Sequence, residues 1–143
     1  MLQKLNIQYL ISYLGLIPYF YILFDKIFLY QIKEEIMINF SIYYSLIIIV
    51  FIGSINWNLE IRIKNYIVFY GVAPSIFALN IIILNLYNFN QINIIISIVS
   101  FILLQLFFDY ILIYMNKIDQ TPFYFLRAPL SLIISLILII IIT

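Results

Sequence analysis

Cysteine and histidine are both absent from this 143-residue chain. That excludes disulfides, thiolate nucleophiles, Cys/His zinc sites, haem ligation by histidine and histidine-based acid–base chemistry. Charge is scarce as well. Only 9% of residues are charged, against about a quarter in an ordinary soluble domain. The formal net charge is +1, too small for an electrostatic nucleic-acid binder, so no nucleic-acid partner is expected. The sequence has no glycine-rich phosphate loop, no carboxylate pair at metal-ligand spacing and no serine in a nucleophile elbow. These gaps point away from a hydrolase or a nucleotide-binding enzyme, and no catalytic residue, cofactor or metal is expected. With three glycines and four prolines in the chain, the place of each one carries information.

What is there is apolar. Hydrophobic residues make up 66% of the chain, and its mean hydropathy is +1.17. No soluble fold of this length has enough interior to hide that much apolar surface, so much of it must face lipid. The codons for Ile, Asn, Tyr, Phe and Leu are AT-rich, so much of the Ile and Asn content reads as nucleotide bias. A hydrocarbon core about 30 Å thick takes about 20 apolar residues as helix. Five runs qualify, near residues 9–30, 36–57, 66–87, 92–114 and 128–142. The expected fold is therefore all-α, a single transmembrane domain of five helices over residues 1–143. The runs are continuously apolar and show no period-two alternation, which speaks against a β-barrel. The connections, near 31–35, 58–65, 88–91 and 115–127, are short and make sequence neighbours antiparallel.

Lys4, Arg62, Lys64, Lys117 and Arg127 fall on one expected side. Lys26 and Lys33 fall on the other, beside Asp25, Glu34 and Glu35. The positive-inside rule then expects the N-terminus inside and the C-terminus outside. No signal-peptide cleavage pattern follows the short basic start. Trp57 and several tyrosines sit at expected span ends, as in an aromatic belt.

The unusual residues cluster. Gly15 and Pro18 lie early in span one, Gly53, Ser54, Asn56 and Trp57 close span two, and Gly71, Ala73, Pro74 and Ser75 lie early in span three. Asp109 lies late in span four, and Arg127 and Pro129 open span five. On the orientation above, all fall in the inner half of the bilayer. Prolines 18 and 74 deprive the Leu14 and Tyr70 carbonyls of helical donors. Two readings stand for the small residues. Gly71 with Ser75, and Ser131 with Ser135, form small-xxx-small patterns for close packing; alternatively, the prolines hinge a cavity. Asp109, set among Phe107, Phe108 and Tyr110, needs a partner or a proton, and Arg127 is the natural one. Such a pair could pin spans four and five, relay a proton or ion, or meet an anionic lipid or partner subunit. Asn56 and Glu60, four apart, share a helix face if span two extends that far.

The runs Leu14-Gly15-Leu16-Ile17-Pro18, Phe51-Ile52-Gly53-Ser54-Ile55-Asn56-Trp57 and Tyr70-Gly71-Val72-Ala73-Pro74-Ser75, and Pro122 with Leu126-Arg127-Ala128-Pro129-Leu130, recur in a family order. In these blocks the chain resembles a five-helix membrane family of unknown function that includes mitochondrial transmembrane protein 69. The family usually carries His before the tryptophan and Gly after it; Asn56 and Asn58 stand there instead. The resemblance implies a bacterial or mitochondrial inner membrane and supplies no activity. The expected function is a multi-pass, non-catalytic accessory subunit or assembly factor, with the bilayer and a larger complex or a second copy as partners. The alternative is a small ion, proton or lipid carrier built around Asp109.

Overall fold

Inside hydrocarbon every backbone N–H and C=O must find an internal partner, so apolar runs of this length become helices. The computed structural model describes residues 7–55, 65–116 and 121–143, and all regular structure among them is helical. Five helices are long and apolar enough to cross a membrane: Leu10–Leu29, Glu34–Gly53, Val68–Leu86, Gln91–Met115 and Phe123–Ile142. At most 44% of any of these spans is buried within the structure, which leaves the rest of its apolar surface to lipid. The chain is an integral multi-pass membrane protein.

Span one is made of three pieces: α1 (Ile7–Leu14), α2 (Ile17–Phe24) and a π turn, Asp25–Leu29. The break at Gly15 and Leu16 lies just ahead of Pro18, which has no N–H to give the Leu14 carbonyl. The Leu16 N–H instead closes a tighter turn on the Tyr13 carbonyl at 3.0 Å. Spans two, three and four are α3 (Glu34–Ile55), α4 (Asn65–Leu86) and α5 (Gln91–Asn116). Span five begins with a π turn, Phe123–Arg127, that runs directly into α6 (Ala128–Ile142). The loop expected over 115–127 is thus shorter than its polar composition implies. Pro122 is tolerated before the first turn of a helix, and the helical chain already includes Phe123, Tyr124 and Phe125. Arg127 therefore does not open span five but lies one turn inside it.

Two asparagines make the α4–α5 connection. Asn88 takes the left-handed conformation, with φ 54°, and the Phe89 N–H reaches back to the Leu84 carbonyl at 3.1 Å, as in a Schellman cap. The Asn90 side chain then accepts the Ile92 N–H at 2.9 Å and caps α5.

The chain separates into two compact units, Ile38–Ile98 and Met1–Met37 with Val99–Thr143. In the first, α3 buries Ile38, Ile42, Ser45, Ile49 and Gly53, and α4 buries Gly71, Pro74, Ala78 and Ile81. The decisive contact is at Gly53. A Cβ there would stand 2.5 Å from Pro74 Cγ and 3.1 Å from the Gly71 carbonyl oxygen. Only a residue without a side chain lets α3 lie against the proline ring. Helix α4 continues through Pro74 unbroken. Ser75, expected to pack with Gly71, is exposed. At about 100° per residue, the Gly71–Pro74–Ala78–Ile81 face turns about 80° away from it. In the second unit α2 buries Tyr19 and Ile22, and α6 buries Ser131, Ile134, Ser135, Leu138 and Ile141. The Ser135 hydroxyl donates to the Ser131 carbonyl at 2.8 Å, so a small polar residue is buried without an unmet donor.

Gly53→Ala is expected to destabilise the fold by about 1–3 kcal/mol through overpacking, measured by unfolding of the purified protein in mixed micelles. Pairing it with Pro74→Ala should recover part of the loss; no recovery would detach Gly53 from the proline.

Candidate functional site

A charge inside an apolar span is costly unless it is paired. Asp25, Lys26, Asp109 and Arg127 lie within spans one, four and five, all in the unit formed by Met1–Met37 and Val99–Thr143. Arg127 Nε donates to Asp109 Oδ2 in an ion pair. The two side chains keep 17% and 12% of their surface exposed, so the pair is largely but not wholly withdrawn. The π turn ends at Arg127 and sets its guanidinium against the last third of α5. An aromatic contact joins the same two elements: the Tyr110 and Phe123 rings stand 5.8 Å apart between centroids. A guanidinium has five N–H donors. Arg127 Nη2 is buried with no hydrogen-bond partner among the described residues.

A second contact lies in the same π turn. Pro129 has no N–H, so the Phe125 carbonyl four residues earlier lacks its helical donor. The Tyr13 hydroxyl of α1 donates to that carbonyl. At the other end of the same two spans, Lys26 Nζ donates to the Ile140 and Ile141 carbonyls at 2.8 and 2.7 Å. These belong to the last turn of α6, whose carbonyls have no intrahelical donors and carry the negative end of the helix dipole. Spans one and five therefore run parallel, tied at both ends.

Asp25 is fully buried and holds the chain reversal after span one. The Tyr30 N–H closes the π turn on the Asp25 carbonyl at 2.8 Å, and Tyr30 turns left-handed, with φ 53°. The Asp25 carboxylate then accepts the Ile32 N–H at 3.0 Å and, more weakly, the Gln31 N–H at 3.4 Å. A carboxylate at a helix C-terminus opposes the dipole. Here it is stabilised by the N–H groups of the following segment.

In the other unit, Asn39, Tyr43, Asn85 and Gln91 form a polar knot. The Asn85 amide donates to Asn39 Oδ1 at 3.3 Å and to the Tyr43 hydroxyl at 3.0 Å. The Gln91 amide donates to the same Asn39 oxygen at 3.3 Å. Three helices, α3, α4 and α5, meet in it.

The sequence-selected residues fall into three groups. Asp109 meets Arg127, and Gly53, Gly71 and Pro74 meet one another; Gly15 lies in the span-one break and Pro18 just after it, and Ser75 is exposed. Asn56, Trp57 and Glu60 lie outside the described residues. The roles of Tyr13, Lys26 and Asp25 were missed, although Pro129 four residues after Phe125 signals a freed carbonyl. The amide knot carries no such signal in a chain rich in asparagine. An open apolar groove follows span one past Ile17, Phe20, Tyr21, Phe24 and Phe28; it contains neither Asp109 nor Arg127. Comparison with family models, with curated proteins and with solved structures finds no match for the chain.

Asp109→Asn and Arg127→Gln are each expected to destabilise by about 2–4 kcal/mol, and the apolar double variant Asp109→Leu/Arg127→Met by less than the sum. A double-mutant cycle on micellar unfolding reads this coupling; additive losses would mean that the two charges act separately. Lys26→Met should speed hydrogen exchange in the last two turns of α6 and leave exchange in α4 unchanged.

Proposed function

We propose that the chain is a non-catalytic inner-membrane protein that serves as an accessory subunit or as an assembly or stability factor of a larger membrane complex. One observation carries this reading: four charged side chains within its spans, Asp25, Lys26, Asp109 and Arg127, are engaged in holding its own helices. Arg127 holds Asp109, Lys26 holds the end of α6, and Asp25 holds the chain reversal. Groups fixed in this way position helices and are poorly placed to cycle protons or substrate. The order of the Gly15–Pro18, Gly53–Trp57, Gly71–Ser75 and Arg127–Pro129 blocks supports placing the chain with the five-helix family that it resembles. Its membrane is then a bacterial or mitochondrial inner membrane, and the Lys and Arg distribution supports an inside N-terminus and an outside C-terminus.

The unpartnered Arg127 Nη2 favours one second reading, a small ion, proton or lipid carrier using Asp109. A buried donor beside a carboxylate is a place where an anionic group or a water is stabilised. The two readings part at Asp109→Asn. A carrier loses transport in reconstituted vesicles while the amount of folded protein holds. An architectural pair loses folded protein.

The first test is gentle extraction of the tagged protein, a native gel and mass spectrometry of the band. The expected result is comigration with a larger complex at fixed stoichiometry. Migration alone or only with itself would overturn the subunit reading.

A further inference from the structure

The side of α4 that faces away from Gly53 carries a seam of its own. Ala73, Ile76, Asn80 and Ile83 are all exposed. Their spacing is three, four and three, the repeat of a coiled-coil seam. At about 100° per residue, this row lies on the opposite side of the helix from Gly71, Pro74, Ala78 and Ile81. Helix α4 thus has one buried face, which meets Gly53 of α3, and a second face that is exposed among the described residues.

Asn80 decides what belongs there. Six residues separate it from Leu86, the nearer end of its span, which is about 9 Å of helix. One of its two amide N–H groups donates to the Ile76 carbonyl at 3.0 Å. The second N–H and the Oδ1 oxygen have no partner among the described residues, and hydrocarbon offers none. An amide is its own complement. The free N–H of one Asn80 can donate to Oδ1 of another, and the reverse, which satisfies both groups at once. Copies of one chain enter a membrane in one orientation, so two α4 helices meet in parallel with their Asn80 residues at equal depth. That is the geometry of a two-fold, self-complementary interface. Ala73 lets the backbones approach on one side of the amide, and the isoleucines fill the seam around it.

We propose that α4 is a homodimer interface, in which the Ala73–Ile76–Asn80–Ile83 seam packs on the same seam of a second copy and Asn80 hydrogen-bonds to Asn80. The proposal does not rest on the accessory-subunit reading, since such a dimer forms inside or outside a larger complex.

The chain has no cysteine, so a single introduced thiol reports alone. Ile76→Cys and Ile83→Cys place it on the seam; Leu79→Cys and Ile82→Cys place it at exposed positions off the seam. Under mild oxidation in native membranes, the seam positions should form disulfide-linked dimers and the off-seam positions should form few. Adding Asn80→Leu should cut seam cross-linking by about 3- to 20-fold, with folded protein unchanged because Asn80 is exposed. Equal cross-linking at all four positions, seam cross-linking indifferent to Asn80→Leu, or adducts with a different protein would each overturn the proposal.

Discussion

A carbonyl that loses its helical donor within hydrocarbon has no water to turn to, and much of this structure follows from that. Proline creates such carbonyls inside helices, and helix ends create them at the boundaries. The Phe125 carbonyl, freed by Pro129, draws in the Tyr13 hydroxyl from the start of span one. The carbonyls of Ile140 and Ile141 draw in the Lys26 ammonium from its end. One requirement, met twice, sets the direction and register of two spans that are far apart in sequence. The costs of burial then work together. Lys26 needs counter-charge and α6 needs donors, and each supplies what the other lacks.

Where no polar group is at stake, shape decides. The helices of this chain are apolar all round, so amphipathicity cannot tell α3 which face to offer to α4. What distinguishes the faces is where a backbone can come close. Gly53 against the ring of Pro74 is such a place, because any Cβ would collide with the ring. The buried positions on each helix recur from there in helical steps, Ile49, Ile42 and Ile38 on α3 and Ala78 and Ile81 on α4. The same reasoning explains why Ser75 was misplaced. A small-xxx-small pattern names two residues on roughly one face, whereas the proline pulls the contact to one side and leaves the serine out.

The all-α class and the number of long apolar helices were legible because continuous apolar length is nearly the whole signal for a membrane helix. The partnership of Asp109 with Arg127 was legible too, since a charge within a span demands a partner and few exist. Other features were hidden for identifiable reasons. The π turn at Phe123–Arg127 lies in a polar, proline-bearing stretch that reads as loop, and it moves Arg127 one turn deeper than composition suggests. Asp25 and Lys26 near a span end read as interfacial charge, yet Asp25 is fully buried and Lys26 is committed to a helix five elements away in the chain. The knot of Asn39, Tyr43, Asn85 and Gln91 uses residues whose abundance masks them. Among many asparagines, nothing in sequence marks the two that meet.

The charged and amide groups also differ in what they leave unmet, and that difference bears on function. Asp25 and Lys26 reach groups that suit them, and each of these contacts ties one part of the chain to another. Among the described residues, two donors contrast: Arg127 Nη2, buried beside its own carboxylate, and the second amide N–H of Asn80, exposed in the apolar run of α4. The first is covered by protein and can be met only by something small enough to enter. The second faces outward at a depth where lipid offers only methylene groups, so the surface itself is unfinished until another helix covers it. The polar capacity left over is therefore of two kinds, one enclosed by protein beside Asp109 and one turned outward on α4, where only another helix can meet it.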